Sequence, residues 1–283
     1  MIRVDGKRLP RFLKRDGTRG SAGRTARCEA EGRMRLEIDN AEADKTQRKY
    51  ARLAGFLFLG EIIIALGSGL VLSHIAGSGT FTETATRIAA SERLYRVALS
   101  TVLIATLGSG LLAFALYATL KPVNSLLAQL AMIFTLGDSF LALVVRMCGF
   151  VRVQFYVSAQ TDGAGRMAAQ AFSDLMRSIA GATENLGGIS FGIGSFLFFY
   201  LFFKSEYIPR VLAALGVFAS MIWTGLYFAN LVFPEQHSLF MYICLPPMAL
   251  VDVITGFYLM LFAVRTEVRG NQPAQPAAYP TPD

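Results

Sequence analysis

The sequence predicts an all-α integral membrane protein, a bundle of six transmembrane helices with both termini on the cytoplasmic side. Six long apolar stretches support this, because each has the roughly 17–25 residues that a helix needs to cross a bilayer. Apolar residues make up 53% of the chain, the mean hydropathy is +0.45, and the apolar runs do not alternate with period two as barrel strands do. The stretches are residues 53–73, 97–118, 126–145, 186–203, 211–233 and 239–264.

Charge patterning predicts the orientation. Residues 1–52 hold fifteen Lys/Arg and eight Asp/Glu, whereas the rest of the chain holds twelve of each. Lys45, Arg48, Lys49 and Arg52 form a basic stripe before the first span, which suits the anionic inner leaflet of a lipid bilayer. An N-terminus inside places the C-terminus inside as well. The outer side then holds seven arginines, although Lys and Arg are usually more frequent in the inner loops. The first span usually dominates the orientation of the whole bundle, so we keep this assignment.

Three regions follow along the chain. Residues 1–49 are polar and Arg-rich, so we expect a disordered basic tail. Residues 50–266 form the six-helix membrane domain, and the Pro-rich residues 267–283 form a disordered C-terminal tail. The first apolar run begins at Leu53, too late for a cleaved signal peptide, and Met34 is an alternative start. The tail carries interspersed acids and is nearly free of aromatics that could stack on bases, so nucleic acid is not an expected partner.

The two longer outer loops are each predicted to contain a short amphipathic helix. Thr80 and Glu83 fit a capping box that starts one helix, which runs to about Arg93. The segment 164–182 has a one-sided apolar pattern and is expected to lie on the outer membrane surface or to cap the bundle. Its apolar face consists of Met167, Ala168, Ala171, Phe172, Leu175 and Ile179.

Three acids lie near the middle of predicted spans, namely Glu61, Asp138 and Asp252. A charged side chain at that depth costs about 2.5–3.5 kcal/mol on the insertion scale, so these acids indicate a function. Glu61 and Asp252 share helix faces with small residues, which should turn inward. Pro246-Pro247 is expected to kink the sixth span just before Asp252. Arg146 is the nearest cation to Asp138 along its helix and is a candidate counter-ion at the outer mouth.

Two interpretations of these residues stay open. In the first, the acids bind or move a small molecule, an ion or a proton in a polar cavity between helices. In the second, they hold helices together in a non-catalytic structural or regulatory module. A weaker alternative is an intramembrane enzyme, because Gly188–Gly192 matches the letters GxSxG, but the sixth span offers no histidine as a base. The sequence contains no cofactor-binding fingerprint and no metal-binding spacing, so we expect neither a cofactor nor a metal ion.

Four short motifs lie within or between the predicted spans, namely Ala51-Arg52-Leu53-Ala54-Gly55, Lys121-Pro122-Val123-Asn124, Ser205-Glu206-Tyr207-Ile208-Pro209-Arg210 and Pro247-Met248-Ala249. These motifs resemble the bacterial multi-pass membrane family called domain of unknown function 4386. The resemblance covers roughly Tyr50 to Thr266 and implies a protein of the bacterial inner membrane, with no activity attached.

Overall fold

A computed structural model describes residues 17–159, 164–233 and 237–262 of the chain. Every regular element in these ranges is an α-helix. The chain divides into two compact units, Met1–Thr46 and Gln47–Asp283. The described part of the first unit is helical, and the second unit holds the membrane-spanning helices.

Within the described ranges, seven helices follow one another, and the six long ones match the six predicted spans. These six are long and apolar enough to cross a membrane, so the predicted all-α membrane fold is confirmed. The short one is α2. The helices are α1 Gly17–Ala76, α2 Phe81–Ala90, α3 Glu92–Leu120, α4 Ser125–Ser158, α5 Ala164–Ser205, α6 Arg210–Val232 and α7 His237–Phe262.

Helix α1 begins well before the first apolar stretch. It starts at Gly17, whereas the sequence analysis expects disorder up to residue 49. The segment from residue 26 onward is rich in Ala, Arg, Glu and Lys, which are strong helix formers despite their polarity. Low hydrophobicity argues against a packed core, but it does not argue against a helix. The predicted tail at 267–283 lies outside the described residues.

The predicted capping box forms at the start of α2. The Glu83 backbone N–H donates to Thr80 Oγ1 over 3.4 Å, and the Thr80 N–H donates to Glu83 Oε2 over 3.1 Å. Two otherwise unpaired donors of the first turn are satisfied in this way. Helix α2 ends at Ala90, close to the predicted end.

The segment 164–182 is helical as predicted, but it is not a separate helix. It is the first half of α5, a helix of 42 residues, or about 63 Å at 1.5 Å per residue. No proline interrupts the chain between Ala164 and Ser205, so the helix continues into the apolar run. The predicted apolar face is largely exposed, with Phe172 at 52% and Leu175 at 51%, although the Phe172 ring also stacks on Phe155 of α4 with ring centroids 5.4 Å apart.

Two separate hydrophobic cores hold the described helices together. The larger core draws on all six spans and centres on large buried side chains such as Leu120, Leu201 and Phe202. The smaller core joins α2 to the neighbouring ends of α1, α3, α4 and α5, around Ile88 and Val153. Since α4 and α5 both exceed the roughly 30 Å of bilayer hydrocarbon, their extra turns can build this second core.

Small residues let α5 and α6 approach closely. A side chain at Gly188 would meet the ring of Tyr227, and one at Gly192 would meet Thr224. Trp223 on α6 donates its indole N–H to the Gly188 carbonyl over 3.0 Å. The two glycines therefore serve helix packing, as small residues commonly do in membranes.

Candidate functional site

Two acids from distant parts of the sequence line one cavity in the membrane domain. Glu61 reaches it from α1 and Asp252 reaches it from α7. The cavity has a volume of about 220 Å³, and α3, α4 and α5 complete its walls. Its lining consists of Phe58, Glu61, Ile62, Ala65, Leu112, Leu116, Thr135, Phe191, Ser195, Phe198, Phe199, Phe202, Asp252 and Thr255.

Helical spacing explains how the walls assemble. On α1, Phe58, Glu61, Ile62 and Ala65 recur every three or four residues, so they share one face. The α5 lining residues, from Phe191 to Phe202, follow the same period and supply four of the five phenylalanines. The cavity is therefore mostly aromatic, with a few polar groups, and its lining contains no Lys, Arg or His.

Asp252 and Thr255 lie three residues apart on α7 and both contribute to the cavity wall. Pro246 and Pro247 lie inside the same helix, which is assigned as helical through both of them. The kink that the sequence predicts there stays a prediction. Asp252 lies between one and two helical turns after the double proline.

Polar atoms of Asp252 and Thr255 are buried without a hydrogen-bond partner. Among the described spans, Thr106 and Thr119 donate to the carbonyl one turn earlier, over 3.0 and 2.8 Å. Thr255 is fully buried, yet its Oγ1 makes no such bond. Asp252 Oδ1 likewise finds no partner within the described residues. Buried polar atoms are usually paired, and an unpaired one calls for an explanation such as a bound molecule.

Glu61 is anchored by a neighbouring helix. The Ser109 hydroxyl on α3 donates to Glu61 Oε1, and the same hydroxyl lies 3.4 Å from the Ala105 carbonyl oxygen. Glu61 also interacts electrostatically with Asp252. Ser109 is not among the residues that the sequence predicts for the site. Its only signal is the small, polar Gly108-Ser109-Gly110 sequence inside a charge-free span.

Asp138, the third candidate, lies outside the lining of this cavity. It packs against α5, where a methyl group added at Gly187 would come within 2.9 Å of Asp138 Oδ1. It lies within electrostatic range of Glu61, Arg146 and Glu184. The structure thus brings two of the three acids together in one cavity and leaves the third beside a helix contact.

Arg146 lies outside the cavity lining, within electrostatic range of Asp138 and Glu184. Both acids interact electrostatically with its guanidinium, and its Nε atom is buried with no hydrogen-bond partner among the described residues. Glu184 is likewise not among the residues that the sequence predicts for the site. It stands in a polar stretch before an apolar run, where a solvated glutamate is the ordinary expectation.

Two chemistries named in the sequence analysis can be compared with the geometry. Residues 188–192 are continuous helix inside α5, so they form no strand–turn–helix elbow for a serine nucleophile. Within the described residues, no group of three or more His, Cys, Asp or Glu side chains is arranged to hold a metal ion. Cys148 is a buried free thiol.

Six described helices that can each cross a membrane, five of which line one mostly aromatic cavity, define a multi-pass membrane protein. The chain belongs to the family described as domain of unknown function (DUF4386), whose model matches residues 53–263. This match confirms the resemblance seen in the inter-helix motifs. No curated protein and no solved structure matches the chain. Because the family description assigns no activity, function has to be argued from the site itself.

Proposed function

We propose that this protein binds a small molecule or ion within the membrane, in the cavity that Glu61 and Asp252 share. The observation that carries the proposal is the meeting of two intramembrane acids in one cavity. Ionisable groups inside the bilayer are expensive and usually mark a ligand or ion pathway. An apolar pocket with a few convergent polar groups is the usual form of a small-molecule site.

The size of the cavity limits the ligand. Its volume of about 220 Å³ is below the roughly 300–1,000 Å³ of sites for drug-sized molecules. The ligand is therefore compact, with about one ring and a short polar arm. A longer lipid chain would not fit within the cavity without a rearrangement of the helices.

Binding here would be one step in moving the ligand across the membrane, and α1 is the helix best suited to move. It has the smallest buried share of the six spans, while it carries one of the two acids. A helix with few buried residues opens at lower free-energy cost than a central one. Translocation would then couple ligand release at Glu61 to a shift of α1.

Orientation and location belong to the same proposal. The basic stripe at Lys45, Arg48, Lys49 and Arg52 favours an N-terminus on the inner side of the membrane. Six spans then place the C-terminus on that side too. The bacterial inner membrane is the location that the inter-helix motifs imply, and its anionic inner leaflet would attract the stripe.

The single tryptophan of the chain provides a reporter for the binding test. Trp223 packs edge-on against Phe191, a lining residue, with ring centroids 5.5 Å apart. Purified full-length protein in lipid nanodiscs would be titrated with 2-phenylethylamine, 2-phenylethanol and phenylacetate. These probes share one apolar body and differ in charge. Saturable change in Trp223 emission with at least one of them is the expected result.

A blocking variant and a matched control decide whether the signal comes from the cavity. Ala65→Phe places a ring into the cavity from α1, whereas Ala214→Phe adds the same ring at an exposed alanine of α6 outside the lining. We expect the first to abolish saturable binding and the second to retain it. No saturable response to any probe in the wild-type protein, or equal responses in both variants, would contradict the proposal.

A further inference from the structure

We infer that the ligand is a small organic cation, a protonated amine attached to a compact apolar body. This inference rests on the proposed function and specifies which charge the cavity selects. It starts from the cavity lining, which contains two carboxyl groups and no basic side chain. An anionic ligand would face both acids without a counter-charge, and a neutral apolar ligand would leave the buried Asp252 Oδ1 without a partner.

The unpaired polar atoms specify the hydrogen-bonding character of the ligand. Asp252 Oδ1 and Thr255 Oγ1 are buried and unpartnered among the described residues, and Thr255 has no exposed surface. Both atoms can accept a hydrogen bond. A primary ammonium group carries three donors and no acceptor, so it can serve these two oxygens and one more. Hydrogen bonds between ionised partners are also about twice as strong as neutral ones.

Glu61 is positioned to provide the third acceptor. Its carboxyl group already accepts from Ser109, which holds it from the side of α3. A carboxylate has about four acceptor positions, so this bond leaves capacity for a ligand donor. Both carboxyl groups line the same cavity, and a cation bound between them would be attracted by each in its ionised form.

The aromatic walls suit a cation with an apolar body. Phe58, Phe191, Phe198, Phe199 and Phe202 line the cavity. Phenyl faces attract a nearby cation through their quadrupole, and they pack well against a hydrocarbon ring. A divalent metal ion fits this lining poorly, because Ca²⁺ takes six to eight oxygen ligands and Mg²⁺ keeps several waters, whereas these walls are mostly carbon.

The test compares the charge forms of one probe. At pH about 7, 2-phenylethylamine is a cation, 2-phenylethanol is neutral and phenylacetate is an anion. Their dissociation constants would be measured by Trp223 emission on the full chain in nanodiscs. We expect the amine to bind about tenfold or more tightly than the alcohol, and phenylacetate to bind more weakly than either.

Amide variants then locate the charge selection. Asp252→Asn and Glu61→Gln should each weaken amine binding by about tenfold and leave alcohol binding within about twofold. Asp174→Asn, an exposed acid of α5 outside the cavity lining, is the matched control and should leave the amine affinity unchanged. If Asp252→Asn does not fold, Glu61→Gln and the wild-type order of the three probes give the answer.

The outcomes separate this inference from the proposed function. Equal binding of the three probes, or tightest binding of the alcohol, overturns the cation assignment and leaves a small-molecule site in place. Amine preference that survives in both Asp252→Asn and Glu61→Gln also overturns it, because the selecting charge then lies elsewhere. Absence of binding by every probe overturns both.

Discussion

Glu61 on α1 and Asp252 on α7 line the same cavity, although the first and the last spans of the bundle carry them. Nothing in either helix alone requires this meeting. It depends on the close approach of α1 and α7, where a side chain at Gly55 would come within 2.6 Å of the Gly256 carbonyl oxygen. The acids are thus brought together by backbone packing between small residues, one to two turns away from the charges.

Replacing Ser109 by alanine should loosen the anchor of Glu61. The variant removes the hydroxyl that donates to Glu61 Oε1. Hydrogen bonds between membrane helices contribute about 0.6 kcal/mol on average and up to about 1.7 kcal/mol, so we expect a loss of stability in that range. Steric-trapping measurements of unfolding in bicelles would provide the number.

Ser100→Ala is the control for this change on the same helix. The Ser100 hydroxyl is exposed and donates to the Arg96 carbonyl of its own helix over 2.9 Å. Its removal should change stability by less than about 0.5 kcal/mol. Equal losses in the two variants would show that the contact between Ser109 and Glu61 does not stabilise the bundle.

Asp138→Asn should separate the third acid from the binding site. Asp138 lies outside the cavity lining and beside Gly187, Arg146 and Glu184. We therefore expect amine affinity within about twofold of wild type, while the midpoint of thermal unfolding falls because Arg146 loses the attraction of one acid. A tenfold loss of affinity in this variant would place Asp138 in the site after all.

A methyl group at Gly188 should destabilise the contact between α5 and α6. The added carbon of Gly188→Ala would meet the ring of Tyr227, which is only 5% exposed and cannot move aside freely. Overpacking of this kind costs about 1–3 kcal/mol. Circular dichroism during thermal unfolding would show a lower midpoint.

Gly225→Ala provides the comparison for Gly188→Ala. A methyl group at Gly225, on α6, would meet no neighbouring atom within 4 Å. Alanine is the better helix former by about 0.5–1 kcal/mol, so stability should stay level or rise slightly. A destabilisation as large as that of Gly188→Ala would refute the packing role of the small-residue pair.

Orientation can be tested by cysteine labelling in cells. In a background with Cys28, Cys148 and Cys244 replaced by serine, Ser78→Cys and Lys121→Cys place one thiol each in exposed turns before α2 and after α3. An N-terminus inside predicts that a membrane-impermeant maleimide labels only Ser78→Cys in intact cells. Labelling of Lys121→Cys alone would show the opposite orientation, with the N-terminus outside.

The sequence predicted the six spans and the α2 capping box because both depend on local information. A run of about twenty apolar residues must become a helix in lipid, whatever its neighbours. The reciprocal hydrogen bonds of Thr80 and Glu83 need only three residues of spacing. The continuity of α5 was missed because its first half is polar on one side, which resembles a loop helix until the whole span is seen.

The site was only half predictable for a related reason. Small residues on their helix faces predicted that Glu61 and Asp252 turn inward, whereas Asp138 was selected by its depth in a span alone and lies outside the cavity lining. Ser109 and Glu184 became visible only through contacts with other helices. The missing hydrogen bond of Thr255 depends on the orientation of one hydroxyl group, and no sequence pattern encodes it.

A double-mutant cycle of Glu61→Gln and Asp252→Asn on 2-phenylethylamine binding tests most directly whether these two acids act on one ligand. Dissociation constants of the wild type, both single variants and the double variant would be read from Trp223 emission in nanodiscs. Because both acids contact one cation in this account, it predicts a coupling free energy of about 1 kcal/mol or more. Additivity within about 0.5 kcal/mol would show independent sites and contradict it.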